Sequence, residues 1–300
     1  MNPLPFFDAL QAGTAGRPLK GVRVLSLALN LPGPAALARL RAMGARCTQV
    51  LPPAGDPMAL YSPVAHRDLT QGIVQRTLDL KTAKGQQQLQ SLLTRSDVLL
   101  TSFRPSALKK LGLDSASLKQ RHPALSAVAI VGSSGANAEK PGHDLTYQAE
   151  VGLVQGVALP PSLLADMAGA LVATEAVLKA LLQQRQTGQG AHLQVSLADA
   201  AHWLTWPLQW GLTGPGTLLG GQHAGYRVYA CKGGRVAVAA LEPHFAAALG
   251  RVVGLGPLTP QACLEPDTHE AVTAFMARRT RKQLEQLALT HDLPLHTLPA

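Results

Sequence analysis

Gly21-Val22-Arg23-Val24-Leu25-Ser26-Leu27, then Pro32-Gly33-Pro34, then Ala45 to Leu51 beyond Met43-Gly44: this run decides the fold. The first segment alternates and is rich in β-forming side chains, the pattern of a strand. Pro32-Gly33-Pro34 opens a helix that runs to Met43 and closes at Gly44, since proline suits a helix's first turn and glycine the position just past its end. Ala45 to Leu51 is a second strand, ended by the loop Pro52-Pro53-Ala54-Gly55-Asp56-Pro57. Strand, helix and strand at this spacing make a βαβ unit, which favours a parallel sheet.

Working outward, the pattern repeats. Strands are predicted at Arg76 to Leu80, Asp97 to Thr101, Leu125 to Val131 and Ala191 to Val195. Between them the spacing predicts helices at Thr82 to Thr94, Pro105 to Leu111, Ser115 to Arg121, Leu145 to Leu153 and Leu163 to Gln184, with a last one at Leu197 to Leu212. The fold class expected is α/β, a large domain over 1–212 with a parallel sheet. A glycine-rich linker is expected at 213–225. After it, Tyr226 to Ala230 and Arg235 to Ala239 flank Cys231-Lys232-Gly233-Gly234, a hairpin signal. Helices at Pro243 to Val253, His269 to Arg278 and Thr280 to Thr290 and a short strand near Pro294 to Leu298 complete a smaller α+β domain over 226–300.

Composition fits this. A chain of 300 residues with 46% hydrophobic side chains can fill two cores, and with 4% aromatics Ala, Leu and Val must do most of the packing. The net charge of +9 suits an anionic partner. Nucleic acid is not expected, because no aromatic residues interleave with the basic ones. Cys47, Cys231 and Cys263 show no CxxC spacing, which argues for a reducing compartment and against structural zinc. The N-terminus Met1-Asn2-Pro3-Leu4-Pro5 lacks a signal-peptide profile. The longest apolar helix is interrupted by Asp166, Glu175 and Lys179, so no membrane span is expected. The chain is expected to be cytoplasmic.

The chemistry-bearing residues lie in Pro141-Gly142-His143-Asp144-Leu145-Thr146-Tyr147, in Leu164-Ala165-Asp166-Met167-Ala168-Gly169 and in Leu241-Glu242-Pro243-His244. A histidine with carboxylates is what proton abstraction beside a carbonyl needs. Asp166 stands near a helix start, where it is either a first-turn acid or an ionised base or nucleophile stabilised by the helix dipole. His143 and Asp144 follow Pro141-Gly142 at a loop-to-helix junction; neighbours on a helix do not face each other, so they need not be partners. Glu242 precedes Pro243 at a strand-to-helix turn, where a plain dipole-complementing acid is the alternative to a site role. No metal-ligand set stands out, no GxGxxG follows the first strand, and GxxxxGK[ST] and GxSxG are absent.

In order along the chain, Leu19-Lys20-Gly21-Val22-Arg23-Val24-Leu25, Leu31-Pro32-Gly33-Pro34, Pro52-Pro53-Ala54-Gly55-Asp56-Pro57, Leu78-Asp79-Leu80-Lys81, Ser102-Phe103-Arg104-Pro105, Gly142-His143-Asp144 and Val195-Ser196-Leu197-Ala198-Asp199-Ala200 resemble the family III CoA-transferases, and within them the α-methylacyl-CoA racemases. The resemblance implies a Rossmann-like large domain, a smaller domain, acyl-CoA thioester substrates and an interlocked homodimer, with coenzyme A only as part of the substrate and no other cofactor. In the family's transferases an aspartate matching Asp166 attacks the thioester to form a mixed anhydride. In its racemases residues matching His143 and Asp166 flank the α-carbon, and a glutamate matching Glu242 supports the histidine. Arg104 is expected to contact a CoA phosphate. The Gly-His-Asp version favours racemase-like transfer of the α-proton of a 2-methylacyl-CoA; CoA transfer through Asp166 and a catalytically degenerate acyl-CoA binder are the alternatives. Three departures bear on them. Family members usually carry a basic residue where Gln49 stands and an acid where Leu51 stands, a cationic run stands where Thr70-Gln71-Gly72-Ile73-Val74-Gln75 is found, and relatives continue beyond the position of Ala300.

Overall fold

In a computed structural model residues 16–300 are described; Met1 to Pro5 lie outside them. The described residues form two compact units that divide between Thr205 and Trp206. The first contains β1 (Arg23–Ser26), α1 (Pro32–Ala42), β2 (Arg46–Leu51), α2 (Met58–Tyr61), α3 (Pro63–Thr70), β3 (Val74–Thr77), α4 (Ala83–Leu93), β4 (Val98–Thr101), α5 (Pro105–Lys110), α6 (Ser115–Arg121), β5 (Ser126–Val131), α7 (Asp144–Glu150), α8 (Leu164–Thr187), β6 (His192–Ser196) and α9 (Leu197–Leu204).

Its strands form one six-stranded sheet in the order β3-β2-β1-β4-β5-β6, and each neighbouring pair is parallel. Successive side chains leave opposite faces of a strand. Val24, Val98, Leu100, Val128 and Ile130 therefore enter one core, while Leu25, Leu27, Val50 and Leu99 enter the other. Burial on both faces is what a parallel sheet requires. On the first face α1 and α8 supply Ala35, Ala36, Ala170 and Ala173, all buried; small side chains let these helices approach closely and make up for the scarcity of aromatics. A Cβ on Gly169 would lie 2.2 Å from Leu197 Cδ2, so α8 and α9 meet closely there.

The strand order reverses between β1 and β4. Loops leaving those strands diverge and open a crevice at the carboxyl edge of the sheet, the place where open α/β folds bind ligands.

Three differences between the observed elements and the sequence expectation stand out. Residues 58–70 form two short helices, α2 and α3, that were not expected, the second capped by Ser62 Oγ, which accepts from Ala65 N at 3.3 Å. β3 begins at Val74, just past Gly72 at φ 70, and Leu78 is buried beyond the strand's end. The helix expected to run to Leu212 stops at Leu204, where the Thr205 hydroxyl donates to the His202 carbonyl at 2.7 Å.

The second unit holds α10 (Trp206–Gln209), β7 (Tyr226–Cys231), β8 (Gly234–Ala239), α11 (Pro243–Val253), α12 (Pro266–Ala277), α13 (Arg281–His291) and β9 (Leu295–Leu298). Residues 213–225 lie within it and carry a helical turn at Leu218–Gln222. Its sheet, in the order β7-β8-β9, is antiparallel. Cys231 pairs with Gly234 across the turn Lys232-Gly233, and Gly233 takes φ 77 there, as a tight hairpin turn demands. Tyr229, Val236, Leu249, Val272, Met276 and Leu284 fill the core. The Tyr229 hydroxyl donates to the Ala224 carbonyl at 2.6 Å, and burial pushes its pKa up to about 12. Among the described residues no helix is long and apolar enough to cross a membrane.

Candidate functional site

A cleft of about 180 Å³ opens at the β1–β4 reversal, and Asn30, Arg104, Lys140, His143, Tyr147 and Asp166 line it. Three of these side chains reach it from the start of a helix. Arg104 is the N-cap of α5 and enters no ion pair with a described residue. His143 is the N-cap of α7. Its backbone is pinned by Thr146, whose hydroxyl accepts from His143 N at 3.0 Å and donates to the His143 carbonyl at 2.7 Å. Asp166 lies in the first turn of α8, and its carboxyl pKa is pushed up to about 7 by burial and by the neighbouring Asp144 carboxylate.

Three of the four expected site residues, His143, Asp166 and Arg104, thus share one cleft. Glu242 lies in the second unit as the exposed N-cap of α11 and is not among the residues lining that cleft. His244 beside it packs against Phe245 with ring centroids 3.9 Å apart and planes tilted by 44°. Among the described residues no cluster of His, Cys, Asp and Glu could hold a metal ion.

Three residues of consequence, Lys140, Tyr147 and Gln148, were not singled out from the sequence, and Asp144 was noted there only as the neighbour of His143. Lys140 adds a second cation to the cleft. Tyr147 is buried beneath it, and burial together with the charge of Asp166 raises its pKa. Asp144 and Gln148 lie deeper still, 5% and 1% exposed. The signal available was spacing: 143, 147 and 144, 148 are two i,i+4 pairs on neighbouring helix faces.

Two glycines make room for Tyr147. A Cβ on Gly132 would lie 2.0 Å from its Oη, and one on Gly142 would lie 2.6 Å away. Gly132→Ala is therefore expected to force the phenol out of its place and to destabilise the first unit by about 1–3 kcal/mol, the usual range for overpacking. An unchanged melting temperature in calorimetry would remove the phenol as the reason for that glycine.

The start of α1 adjoins the same crevice but is poorly equipped for a phosphate. Pro32 and Pro34 have no N–H, and the Ala35 N–H is already given to the Leu31 carbonyl at 3.0 Å. Helix N-termini hold phosphates through free N–H groups; this one offers few, and Arg104 and Lys140 are the cations that line the cleft. Gln49, where a cation was expected, is fully buried at 0% exposure. Its amide nitrogen lies 3.4 Å from the Ala28 carbonyl and 3.4 Å from Asp56 Oδ2, and its Oε1 accepts from Gln75 Nε2 at 3.1 Å. Asp56 in turn accepts from Asn30 N at 3.0 Å. Gln49 and Gln75, both departures from the expected pattern, are bonded to each other and brace the loop that carries Asn30.

A second, apolar cleft of about 470 Å³ is lined by Leu27 and Leu29 after β1, Val50 of β2, and Leu78 to Lys81 after β3. Leu29 and Phe103 belong to both clefts, so the two run on from one another.

The family model for CoA-transferase family III matches residues 19–298. A probable fatty acyl-CoA transferase of Mycobacterium tuberculosis is 33% identical over 207 residues, covering 62% of this chain and 52% of that protein. The cinnamoyl-CoA:phenyllactate CoA-transferase of Clostridium sporogenes is 33% identical over 205 residues, 60% of this chain and 49% of its own. The α-methylacyl-CoA racemase of Homo sapiens is 31% identical over 255 residues, 79% of this chain and 65% of its own. The chain spans about half the length of the first two relatives, 52% and 49%. Among solved structures, a Mycobacterium tuberculosis protein matches with a TM-score of 0.80 at 25% identity, over 95% of this chain and 86% of that one. A CAIB/BAIF family protein from Brucella suis shares the fold at a TM-score of 0.78 and 24% identity, over 95% of this chain and 85% of its own.

Proposed function

Because this chain belongs to CoA-transferase family III, we propose that it acts on an acyl-CoA thioester by moving the α-proton of a 2-methylacyl group, with His143 and Asp166 as the two acid–base groups. One group takes the proton from the α-carbon, leaving an enolate; the other returns a proton to the opposite face, and no atom is gained or lost. Coenzyme A enters as part of the substrate, and no other cofactor takes part. The observation that carries this reading is the shared cleft: His143 and Asp166 line it together with Arg104 and Lys140. An acid–base group works best when its pKa lies near the working pH, and Asp166 is held at about 7. The apolar cleft that continues from this one suits the extended remainder of a CoA thioester, and the two cations suit its phosphates.

Glu242 fits the scheme as support for His143 from the partner subunit of a homodimer. The three cysteines are free, which suits a reducing, cytoplasmic setting.

CoA transfer is the second reading, favoured by the likeness to the Clostridium sporogenes transferase and by the carboxyl group at the start of α8. There Asp166 attacks the thioester carbonyl, a C–O bond forms as the C–S bond breaks, and CoA leaves as the thiolate.

Incubation with a 2-methylacyl-CoA in deuterated water, followed by NMR, separates the two. Wash-in of deuterium at the α-carbon that disappears in His143→Ala is the expected result. No wash-in, together with an acyl group on Asp166 released as a hydroxamate by hydroxylamine, establishes transfer instead.

A further inference from the structure

We propose that Asp144, held in place by Gln148, is a positioning residue that clamps the first turn of α8 and presents a second negative charge to the Asp166 carboxyl group. The first turn of a helix leaves N–H groups without intrahelical partners. In α8 the N-cap is Leu163, which has no side chain to satisfy them. The cap comes instead from 22 residues earlier in the chain: Asp144 Oδ1 accepts from the Asp166 backbone N–H at 2.9 Å. Its other oxygen, Oδ2, accepts from Gln148 Nε2. The same Gln148 nitrogen donates to the Ser162 carbonyl at 3.0 Å. Two residues one helical turn apart on α7 thus tie both sides of the α8 entrance, at Ser162 and at Asp166.

A neutral cap such as serine or asparagine would satisfy the N–H equally well. A buried carboxylate does more, because like charges brought together oppose the ionisation of one of them. The other groups around Asp166 come from three directions: Arg104 after β4, Lys140 before α7, and His143 and Tyr147 from α7 itself. Burial and the charge of Asp144 both oppose the ionisation of Asp166. Gln148 Oε1 is buried with no hydrogen-bond partner among the described residues, which fits an amide whose nitrogen is committed to the clamp.

The functional weight of this clamp rests on the reading of Asp166 as an acid–base group; the clamp itself is tested on the free protein. Carboxyl ¹³C NMR of the full chain follows the Asp166 signal against pH. Asp144→Asn keeps an acceptor and removes the charge, and the Asp166 midpoint is expected to fall by about one pH unit, roughly tenfold easier ionisation. Asp144→Ser is the second variant, in case asparagine disturbs folding. A midpoint that stays put in a folded variant reduces Asp144 to a plain cap and overturns the proposal. The readout needs no turnover, so failure of the proposed reaction leaves this result interpretable. Where turnover is present, the acidic limb of its pH profile shifts with the Asp166 midpoint.

Discussion

Asp166→Asn is expected to lower turnover by about a thousandfold, the usual loss when a positioned acid–base group is removed, and at pH 8 to make the protein more stable than the wild type. The two effects have one cause. Asp166 is pushed up from 3.8 to about 7 by burial and by Asp144. A group whose folded pKa is raised contributes stability that is fully present below its unfolded value and is lost as pH rises through the folded value. For Asp166 that window runs from about pH 4 to about pH 7. At pH 8 the ionised carboxylate therefore opposes the fold. A rise of about three units corresponds to about 4 kcal/mol at most; the carboxyl group is partly open to solvent, and screening reduces this to about 1–2 kcal/mol. Asparagine keeps the shape and carries no charge at any pH. Calorimetry should find the variant melting about 2–4 °C higher than the wild type at pH 8, with the gap closing by pH 4. An equal or lower melting point at pH 8 would mean that Asp166 is not held under strain.

The parallel sheet was legible from β1, α1 and β2 because the information there is local: alternating aliphatic residues, Pro32 at the helix start, Gly44 beyond its end. Asp166 and His143 were legible for the same reason, since each stands at a helix start that its neighbours announce. What Asp144 does was not. It stands beside His143 in sequence, yet His143 is exposed at the cleft while Asp144 is buried below it and bonded to a helix entered 22 residues later. Pattern along the chain carries no trace of such a contact. Gln49 shows the opposite case: taken alone it reads as a missing cation, and only the fold reveals that it is buried against Asp56 and Gln75. Helices α2 and α3 escaped because Pro57, Ser62 and Pro63 break the segment into pieces shorter than a full period of the apolar pattern.

Arg104→Ala is expected to weaken the binding of coenzyme A by about 10–100-fold while leaving the fold intact. The side chain takes part in no ion pair among the described residues, so its removal leaves no buried partner unpaired. Its place is set by the fold: Pro105 starts α5 directly after it, and the extended backbone at φ −61 and ψ 150 brings it to the wall of the cleft. Two prolines in the first turn of α1 leave an anion little backbone to bind there, which is why the expected effect is placed on a side-chain cation. A charge-assisted hydrogen bond contributes about 1.5–3 kcal/mol, and about 1.4 kcal/mol is tenfold in affinity. Arg104→Lys keeps the charge but lacks the planar fork that grips a phosphate with two parallel bonds, and an intermediate loss follows. Titration calorimetry with coenzyme A at two salt concentrations reads both terms. The wild-type affinity should fall more steeply with salt than that of Arg104→Ala, because the variant has one charge fewer to screen. Wild-type affinity in Arg104→Ala would move phosphate binding to Lys140 or Lys81, which are the other cations lining the two joined clefts.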